Sequence, residues 1–314
     1  MRVDLFSAMQ NRIFLLNTSI LGVVSSEETF WSYLPKRIPG VIGLDFTSNN
    51  LRRIKKDCSK ICIFNSILGN INVYPSCKKI VLLQDNFILM DKIVPKNIKQ
   101  KLSRFLKGKS HFYPIFIKKQ KEALINADLI VAVSNSVAES YGVKAKIIPI
   151  GSDSDLFHPM GKKELRAKYK IPQDVIVKIF VGSTHPVKGF DLILEEIKND
   201  KRSFYILVLK DEKILELGYK NIKVFWRVSQ MILAELYNCA DLYVGRSRVE
   251  SLWLTPIEAM FCNVPVDVTS VGIFTDWRPE NKNPRYEAFQ KGLDKETMIR
   301  KWRDLIKRVS KDCK

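Results

Sequence analysis

The sequence is poor in the residues that build disulfide scaffolds and metal centres. Its 314 residues include 6 cysteines and 3 histidines, and no two cysteines form a C-x-x-C pair. This pattern excludes a disulfide-rich scaffold and favours reduced thiols, as found in the cytoplasm. With so few histidines, no metal site is expected.

Long hydrophobic runs are also absent. No apolar run reaches the roughly 18–20 residues that a membrane-spanning helix needs. The longest uncharged stretch near the start, residues 13–26, is interrupted by Asn17, Thr18 and Ser19 and has no A-x-A-like cleavage site. We therefore interpret it as part of a first buried strand–helix unit, and we expect a cytoplasmic protein.

Acidic residues are scarce relative to basic ones. The 33 aspartates and glutamates face 52 lysines and arginines, so the formal net charge is +19. A surface with this excess favours anionic partners, namely nucleotide phosphates, nucleic acid or the headgroups of an anionic membrane.

The second half of the chain alternates short apolar runs with segments of helical period. The runs predict strands at 176–181, 204–209, 222–225, 241–244 and 264–268, with helices at 190–197, 214–217, 229–237 and 255–261. Such alternation predicts a parallel sheet covered on both faces, with Ser229 as one helix cap. Ligands of such sheets bind beyond the carboxyl ends of the strands.

The first half alternates less regularly, with candidate strands at 2–6, 61–64, 80–83 and 129–133. We predict a second α/β domain, joined to the first around Pro149 to Pro159. The expected boundaries are 1–155, 156–275 and a helical segment 276–314. In that segment, residues 294–309 fit an amphipathic helix, because Met298, Trp302, Leu305 and Val309 share one face.

The strongest chemical motif is a pair of glutamates, Glu250 and Glu258, which lie eight residues apart. Thr255-Pro256 between them fits a helix start with threonine as the cap. The amides of Leu254 and Thr255 would then face an anionic group. In the alternative interpretation, Glu258 only compensates the helix dipole and Glu250 is a solvated loop residue.

A loop with glycine at each end, Gly182 to Gly189, follows the strand predicted at 176–181 and contains Lys188. Glycine lets a backbone approach a phosphate closely, and lysine supplies a point charge for it. Upstream are the segments Val-Ser-Asn-Ser at 133–136 and Ile-Pro-Ile-Gly-Ser-Asp at 148–153.

These segments, in this order, resemble glycosyltransferase family 4, the retaining nucleotide-sugar glycosyltransferases. The resemblance extends over residues 128–276 and includes the E-x7-E motif. It implies the GT-B fold, with two Rossmann-like domains whose parallel sheets face a central cleft. It also implies an N-terminal acceptor domain, a C-terminal nucleotide-sugar domain and a final helix that returns to the N-terminal domain.

The resemblance also implies roles for individual residues. Glu258 would bind the ribose hydroxyls of the donor, and Glu250 would contact the transferred sugar. Lys188 would bind the diphosphate together with the amides of Leu254 and Thr255. The remaining donor-site residues by this resemblance are Gly182, Ser183, Arg227 and Val228, the last two at the base. The family usually needs no metal, and no cofactor is expected beyond the nucleotide-sugar donor.

Two departures from the family pattern bear on activity. Ser183 stands where members often have an arginine for the diphosphate, and we hypothesise that Arg246, Arg248 or His185 compensates for it. The residues after Glu250 are Ser-Leu-Trp rather than the common glycine and proline. A non-catalytic nucleotide-sugar-binding protein is therefore one alternative.

Two further acidic patterns have competing interpretations. Asp85, in Gln84-Asp85-Asn86 after a predicted strand, is a candidate base for the acceptor hydroxyl, and an ordinary strand-end turn is the alternative. Asp153 and Asp155 form a D-x-D pattern, for which we favour a structural turn over a metal–nucleotide site.

The segment 86–121 contains ten basic residues and one acidic residue, Asp91. Apolar residues recur at helical spacing in Ile98, Leu102 and Phe105. This pattern fits an interfacial helix on anionic lipid, and we give equal weight to a solvated face on a helix packed against its own domain. The basic residues are Lys92, Lys96, Lys99, Lys101, Arg104, Lys107, Lys109, Lys118, Lys119 and Lys121.

The resemblance therefore implies a retaining, metal-independent glycosyltransferase that acts on a lipid-linked or glycan acceptor. Its expected partners are a nucleotide sugar, that acceptor and, through residues 92–121, the cytoplasmic face of an anionic membrane. A nucleic-acid glucosyltransferase is a second alternative, because the net charge of +19 suits a DNA track.

Overall fold

A computed structural model describes residues 13–17, 37–38, 41–45, 61–68, 71, 78–93, 113–210 and 218–311 of the chain. They divide into two units. One holds the described residues up to Ile150 together with those from Glu296 onward, and the other runs from Gly151 to Lys295. The second unit thus begins at Gly151 rather than at 156, because its two ends pair with each other. The Ser152 amide donates to the Leu293 carbonyl at 2.8 Å, and the Lys295 amide donates to the Ser152 carbonyl at 2.9 Å.

The first unit contains a six-stranded parallel sheet in the order β2-β1-β3-β4-β5-β6. All five side chains of β3 and the last four of β4 are buried, as expected for a sheet covered on both faces. The strands are β1 (Ile13–Asn17), β2 (Val41–Asp45), β3 (Ile61–Asn65), β4 (Lys78–Leu83), β5 (Leu129–Ala132) and β6 (Lys146–Ile147).

Helices follow the strands of this sheet. They are α1 (Phe87–Ile93), α2 (Tyr113–Ile125) and α3 (Asn135–Ser140), with a 3-10 turn at Ser66–Leu68. Ser134 caps α3 by accepting a hydrogen bond from the Val137 amide. This serine lies in the Val-Ser-Asn-Ser segment, so the segment marks the start of a helix.

The second unit contains a five-stranded parallel sheet in the order β11-β10-β7-β8-β9, which confirms the predicted parallel arrangement. Chain order reverses at β7, which lies between β8 and β10. Such a switch point is where open α/β sheets bind ligands. The strands are β7 (Val177–Gly182), β8 (Phe204–Leu209), β9 (Ile222–Trp226), β10 (Leu242–Gly245) and β11 (Val266–Val268).

The helices α4 to α8 belong to the second unit, and α9 ends the described part of the chain. They are α4 (Lys162–Lys168), α5 (Phe190–Asn199), α6 (Gln230–Cys239), α7 (Leu254–Phe261), α8 (Pro284–Gln290) and α9 (Lys295–Lys311), with 3-10 turns at Pro186–Lys188 and Gly272–Thr275. Ser229 caps α6, as predicted, by accepting from the Ile232 amide. The predicted apolar face of α9 is confirmed, because Met298, Trp302, Leu305 and Val309 are all buried.

Some expectations differ from the structure. The helix predicted at 255–261 begins at Leu254, and the strand predicted at 264–268 covers only Val266–Val268. Strands β2 and β6 were not predicted, because neither has a distinctive apolar run of its own. The strand expected at 2–6, the helix expected at 214–217 and the basic residues from Lys96 to Lys109 lie outside the described residues.

Candidate functional site

The loop after β7 is held close to the loop after β10, on the other side of the switch point. The Arg248 amide donates to the Val187 carbonyl at 2.7 Å, and the Ser247 hydroxyl donates to the same carbonyl at 3.1 Å. Gly189 has a φ of 65°, and a Cβ there would lie 1.9 Å from the Arg246 carbonyl oxygen. Only glycine fits this close approach, which fixes Lys188 directly beside the β10 loop.

Two predicted site residues meet at this position. The Lys188 ammonium donates to Glu250 Oε1 at 2.7 Å, although 62 residues separate the two in the chain. The Glu250 side chain is 9% exposed and that of Lys188 is 35% exposed. The pair therefore places a cation and a carboxylate together beyond the carboxyl ends of β7 and β10, at the switch point of the sheet.

The turn that leads into α7 is strained. Trp253 precedes the helix with a φ of 79°, which is a left-handed conformation that a tryptophan rarely adopts. Its buried indole compensates by packing edge-on against Phe274 and over Gly245, where a Cβ would lie 2.5 Å from the ring. Strain of this kind is concentrated at functional sites.

The predicted cap of α7 is wrong. Thr255 is the second residue of the helix, and its hydroxyl bonds the Tyr243 hydroxyl at 2.8 Å rather than a backbone amide. Leu254 and Thr255 still contribute the first two amides of the helix, since α7 begins at Leu254. The N-terminus of a helix therefore still follows Glu250 closely in the chain, although Thr255 does not cap it.

Glu258 lies one turn into α7 and is partly exposed. The hydroxyl of Tyr237, on α6, donates to its Oε2 atom at 2.9 Å. Burial raises the pKa of Glu258 to about 7, against the opposing effects of the Tyr237 hydrogen bond and the positive charge of Lys210. This carboxyl therefore changes charge near neutral pH, which is typical of residues in binding and catalytic sites.

Arg227 and Val228 follow β9 at the same edge of the sheet. Arg227 is exposed with a φ of 43°, and its Nε donates to the Lys210 carbonyl at 3.0 Å. The Lys210 amide donates in turn to the Gly182 carbonyl at 3.1 Å. The ends of β7, β8 and β9 are thus linked side by side, so Gly182 and the Arg227-Val228 pair lie on one edge.

The residues expected to compensate for Ser183 have other contacts. Arg246 pairs with Glu196 at 2.9 Å and with Asp267 at 2.7 Å. Arg248 binds both carboxylate oxygens of Asp191, at 2.8 and 2.6 Å. Both guanidinium groups are therefore held by acidic side chains of α5 and β11.

His185 and Ser183 accept hydrogen bonds from amides within the loop after β7. The Nδ1 atom of His185 accepts from the Val187 amide at 3.2 Å, and the Ser183 hydroxyl accepts from the His185 amide at 3.3 Å. These bonds shape the turn that presents Lys188.

In the first unit, Asp85 lies beyond the end of β4, next to a cluster of buried amides and hydroxyls. The Gln120 amide donates to the Ser66 hydroxyl at 3.0 Å and to the Asp85 carbonyl at 3.3 Å, and it accepts from the Tyr141 hydroxyl. Burial and the negative charge of Asp85 raise the pKa of Tyr141. Asp85 itself is half-buried, so its carboxylate lies at the border of this cluster.

Asn86 adds a second role to the same segment. Its Oδ1 accepts from the Leu89 amide at 3.2 Å and from the Ser140 hydroxyl at 3.0 Å. Asn86 thus ties the start of α1 to α3, as expected for a strand-end turn. The turn interpretation and a role for Asp85 are therefore compatible.

The Asp153–Asp155 pattern forms a turn, as favoured from the sequence. Asp153 Oδ1 accepts from the amides of Asp155 and Leu156, and both carboxylates pair with Lys295, at 2.6 and 2.7 Å. Within the described ranges, no three histidine, cysteine, aspartate or glutamate side chains are grouped so as to hold a metal ion.

Comparisons with known proteins show a likeness to glycosyltransferases. Residues 161–307 match the family described as glycosyl transferases group 1. This matched segment includes Lys188, Glu250 and Glu258. The D-inositol 3-phosphate glycosyltransferase of Geodermatophilus obscurus is 27% identical over 181 residues, which are 49% of this chain and 40% of that protein. The matched segment is thus less than half of that relative.

Solved structures extend the likeness to the whole fold. Sucrose-phosphate synthase from Thermosynechococcus elongatus superposes with a TM-score of 0.68 at 15% identity, over 96% of this chain and 100% of that one. Anabaena HepE, solved in complex with UDP and glucose, superposes with a TM-score of 0.68 at 15% identity, over 95% and 100%. The chain therefore shares the fold of these structures, which confirms the predicted GT-B fold class.

Sequence reasoning missed three residues next to the predicted site residues Glu258 and Thr255. Tyr237 and Tyr243 are fully buried, and they bond Glu258 and Thr255. Lys210 influences Glu258 through its charge. Both tyrosines occur in apolar segments typical of a core, so only their hydroxyls hinted at a polar partner.

Proposed function

We propose that this chain is a retaining glycosyltransferase that moves a sugar from a nucleoside-diphosphate sugar to a lipid-linked or glycan acceptor. The observation that supports this most strongly is the meeting of Lys188 and Glu250 beside the first turn of α7. It brings a cation, a carboxylate and helix amides to the switch point of the sheet. A departing diphosphate is stabilised by such fixed positive groups.

In the proposed donor complex, the ribose hydroxyls donate to Glu258, and the base lies against Arg227 and Val228. Lys188 and the amides of Leu254 and Thr255 bind the diphosphate, next to Gly182 and Ser183. The positive end of the α7 dipole adds to the same field. No metal is needed in this scheme, because these groups neutralise the charge that develops on the leaving group.

Donor binding has to break the Lys188–Glu250 pair, because one ammonium group cannot pair fully with the Glu250 carboxylate and the diphosphate at the same time. We propose that the diphosphate takes over Lys188 and that the released Glu250 carboxylate accepts from hydroxyls of the sugar. When the nucleotide is absent, the Glu250 carboxylate thus occupies the position beside Lys188 that the diphosphate takes in the complex.

Asp85 is the proposed base for the acceptor hydroxyl. The acceptor oxygen forms the new bond to the anomeric carbon on the face that the diphosphate leaves, as retention requires. The bond to the diphosphate breaks at the same time, and the proton of the acceptor hydroxyl passes to Asp85. The neighbouring amides and hydroxyls suit a polyhydroxyl acceptor. The relative named for D-inositol 3-phosphate adds phosphorylated polyols to the acceptors worth testing.

We further propose a peripheral contact with anionic membranes through residues 92–121. In the described part of this segment, α2 exposes Lys118, Lys119 and Lys121. Ile115 and Ile125 on the same helix are 51% and 82% exposed. Basic residues together with exposed apolar ones are typical of an interfacial helix. None of the helices in the described ranges is long and apolar enough to cross a bilayer.

A thermal-shift panel tests the donor site. UDP, GDP, ADP and their common sugar conjugates are added to wild type, to Glu258→Ala and to Glu195→Ala, a control that removes an exposed carboxyl on α5. A ligand at about 100 times its Kd adds about 2.7 kcal/mol, enough to raise the melting temperature by a few degrees. We expect one nucleotide family to stabilise wild type and the control but not Glu258→Ala.

A shift that persists in Glu258→Ala would contradict the site assignment. No shift with any nucleotide in wild type would contradict the proposed function itself. Turnover is then measured as nucleoside-diphosphate release with lipid-linked, glycan and phosphorylated-polyol acceptors, in the presence and absence of anionic vesicles.

A non-catalytic nucleotide-sugar-binding protein is the second candidate. The ion pairs of Arg246 and Arg248 favour it, because both guanidinium groups are already neutralised while Ser183 supplies no charge. Nucleotide-sugar binding without turnover or donor hydrolysis would distinguish this candidate from the enzyme.

A further inference from the structure

Two buried tyrosines hold the helix that bears Glu258. Tyr237, from α6, donates to Glu258 Oε2 at 2.9 Å, and Tyr243, from β10, bonds the Thr255 hydroxyl at 2.8 Å. Both side chains are fully buried, and Tyr237 also packs edge-on against Phe157. Phenylalanine would fill either position equally well as a core residue. The hydroxyls therefore serve the polar partners on α7.

We propose that Tyr237 is a positioning residue of the donor site: its hydroxyl holds one oxygen of Glu258 and leaves the other to the ligand. This inference rests on the proposed function, in which Glu258 binds a ribose diol. A carboxylate only accepts hydrogen bonds, so it binds both hydroxyls of a diol as donors. With Oε2 held by Tyr237, the rotation of the carboxylate is restricted and Oε1 is directed towards the ligand.

The same bond also influences the pKa of the Glu258 carboxyl. Four titratable groups face Glu258: Tyr237 on α6, Tyr243 on β10, Lys210 after β8 and Cys262 at the end of α7. Burial raises the pKa of Glu258 to about 7, and the Tyr237 bond and the Lys210 charge oppose this rise. Removing the hydroxyl removes one of these two opposing effects, because a donor to the ionised form stabilises that form. Glu258 would then remain protonated to a higher pH.

The test compares Tyr237→Phe with its matched control Tyr243→Phe. Each removes one buried hydroxyl near α7, but only the first removes a bond to Glu258. The nucleotide that binds best among UDP, GDP and ADP is titrated by calorimetry between pH 5.5 and 9.5. Melting temperatures check that both variants are folded.

For Tyr237→Phe we expect the midpoint of the pH–affinity profile to move up by roughly one unit. Affinity at pH 7 then falls about fivefold and recovers near pH 9, because the carboxylate is eventually ionised in both proteins. Tyr243→Phe should keep the wild-type midpoint. A purely structural role for Tyr237 would lower affinity at every pH and would not be rescued by alkali.

An unchanged midpoint in Tyr237→Phe, or an equal shift in both variants, would overturn the inference. A second measurement separates it from the proposed function. The Glu258 carboxyl is titrated directly by carbon-13 NMR without nucleotide. If no nucleotide binds, the proposed function fails, and the positioning role with it. If nucleotide binds but the carboxyl titrates identically in wild type and Tyr237→Phe, only the positioning role fails.

Discussion

The carboxyl ends of the two sheets differ in chemistry although the sheets are built alike. Both sheets are parallel and covered by helices. At the end of the C-terminal sheet, Lys188 pairs with Glu250, and Glu258 lies one turn into the following helix, α7. Beyond the end of β4 in the N-terminal sheet, amide and hydroxyl side chains bond one another next to Asp85, namely Gln120 with Ser66 and Asn86 with Ser140.

This contrast matches the two ligand classes of the proposed reaction. A diphosphate carries several charges and needs fixed cations and helix amides. A sugar or polyol is neutral and is bound by groups that both donate and accept. The charged edge therefore fits the proposed donor, and the neutral edge fits the proposed acceptor.

The largest effect is expected from removing the cation of the charged edge. Lys188→Ala should lower kcat for sugar transfer by about 100- to 1,000-fold, since it takes away a fixed charge that stabilises the leaving group. The matched control is Lys198→Ala, which removes an exposed lysine from α5. Equal rates in the two variants would remove the reason for assigning the diphosphate to this edge.

The Glu258 carboxyl should make stability depend on pH. The pKa of Glu258 is raised from 4.5 to about 7, so the folded protein retains a proton that the unfolded chain releases above about pH 4.5. Stability therefore decreases between these pH values, by about 3 kcal/mol in all. Glu258→Gln cannot ionise and still accepts from Tyr237, so it should gain that amount over wild type at pH 8.

Urea unfolding at pH 4.5 and pH 8 measures this difference, with Glu195→Gln on the surface of α5 as the control. A Glu258→Gln advantage that is the same at both pH values would mean that Glu258 is already ionised in the folded protein near pH 4.5.

A substitution at the neutral edge should separate catalysis from donor binding. Asp85→Asn should lower kcat roughly 100-fold, because the acceptor hydroxyl loses its base. The melting-temperature shift with nucleotide should stay at its wild-type value, as in the control Asp91→Asn on α1. Weaker nucleotide binding in Asp85→Asn would contradict the assignment of the donor to the charged edge and of the acceptor to the neutral edge.

The smallest effect concerns the pair at the charged edge. Glu250→Gln should bind a nucleoside diphosphate without sugar about three- to tenfold more tightly, because Lys188 no longer has to leave a carboxylate. Calorimetry with Glu195→Gln, which changes the net charge equally, is the comparison. Unchanged or weaker binding by Glu250→Gln would mean that the pair does not compete with the diphosphate.

Much of the fold could be read from local pattern. The apolar runs of β7 and β8 and the helical spacing of Met298, Trp302 and Leu305 predicted buried elements that the structure contains. Burial imposes these patterns on neighbouring residues, so they are visible without any knowledge of distant contacts.

Other features depended on which residues meet across the chain. The Lys188–Glu250 pair joins residues 62 apart, and the Gln120–Ser66 bond joins residues 54 apart. Strand order and register determine such contacts, and neither can be inferred from the pattern of neighbouring residues. The start of α7 is an example, since Thr255 has the better capping residue type but the helix begins after Trp253.

By itself, the sequence determined the alternation of strands and helices, the amphipathic α9 and the residue types available for a donor site. Only the tertiary structure decided the left-handed turn at Trp253, which the packing of its indole on Gly245 and Phe274 stabilises. It likewise decided the charge of Glu258, because burial beside Tyr237 raises its pKa to about 7. Local residue type determines what a side chain can do, and the surrounding protein determines its conformation and ionisation.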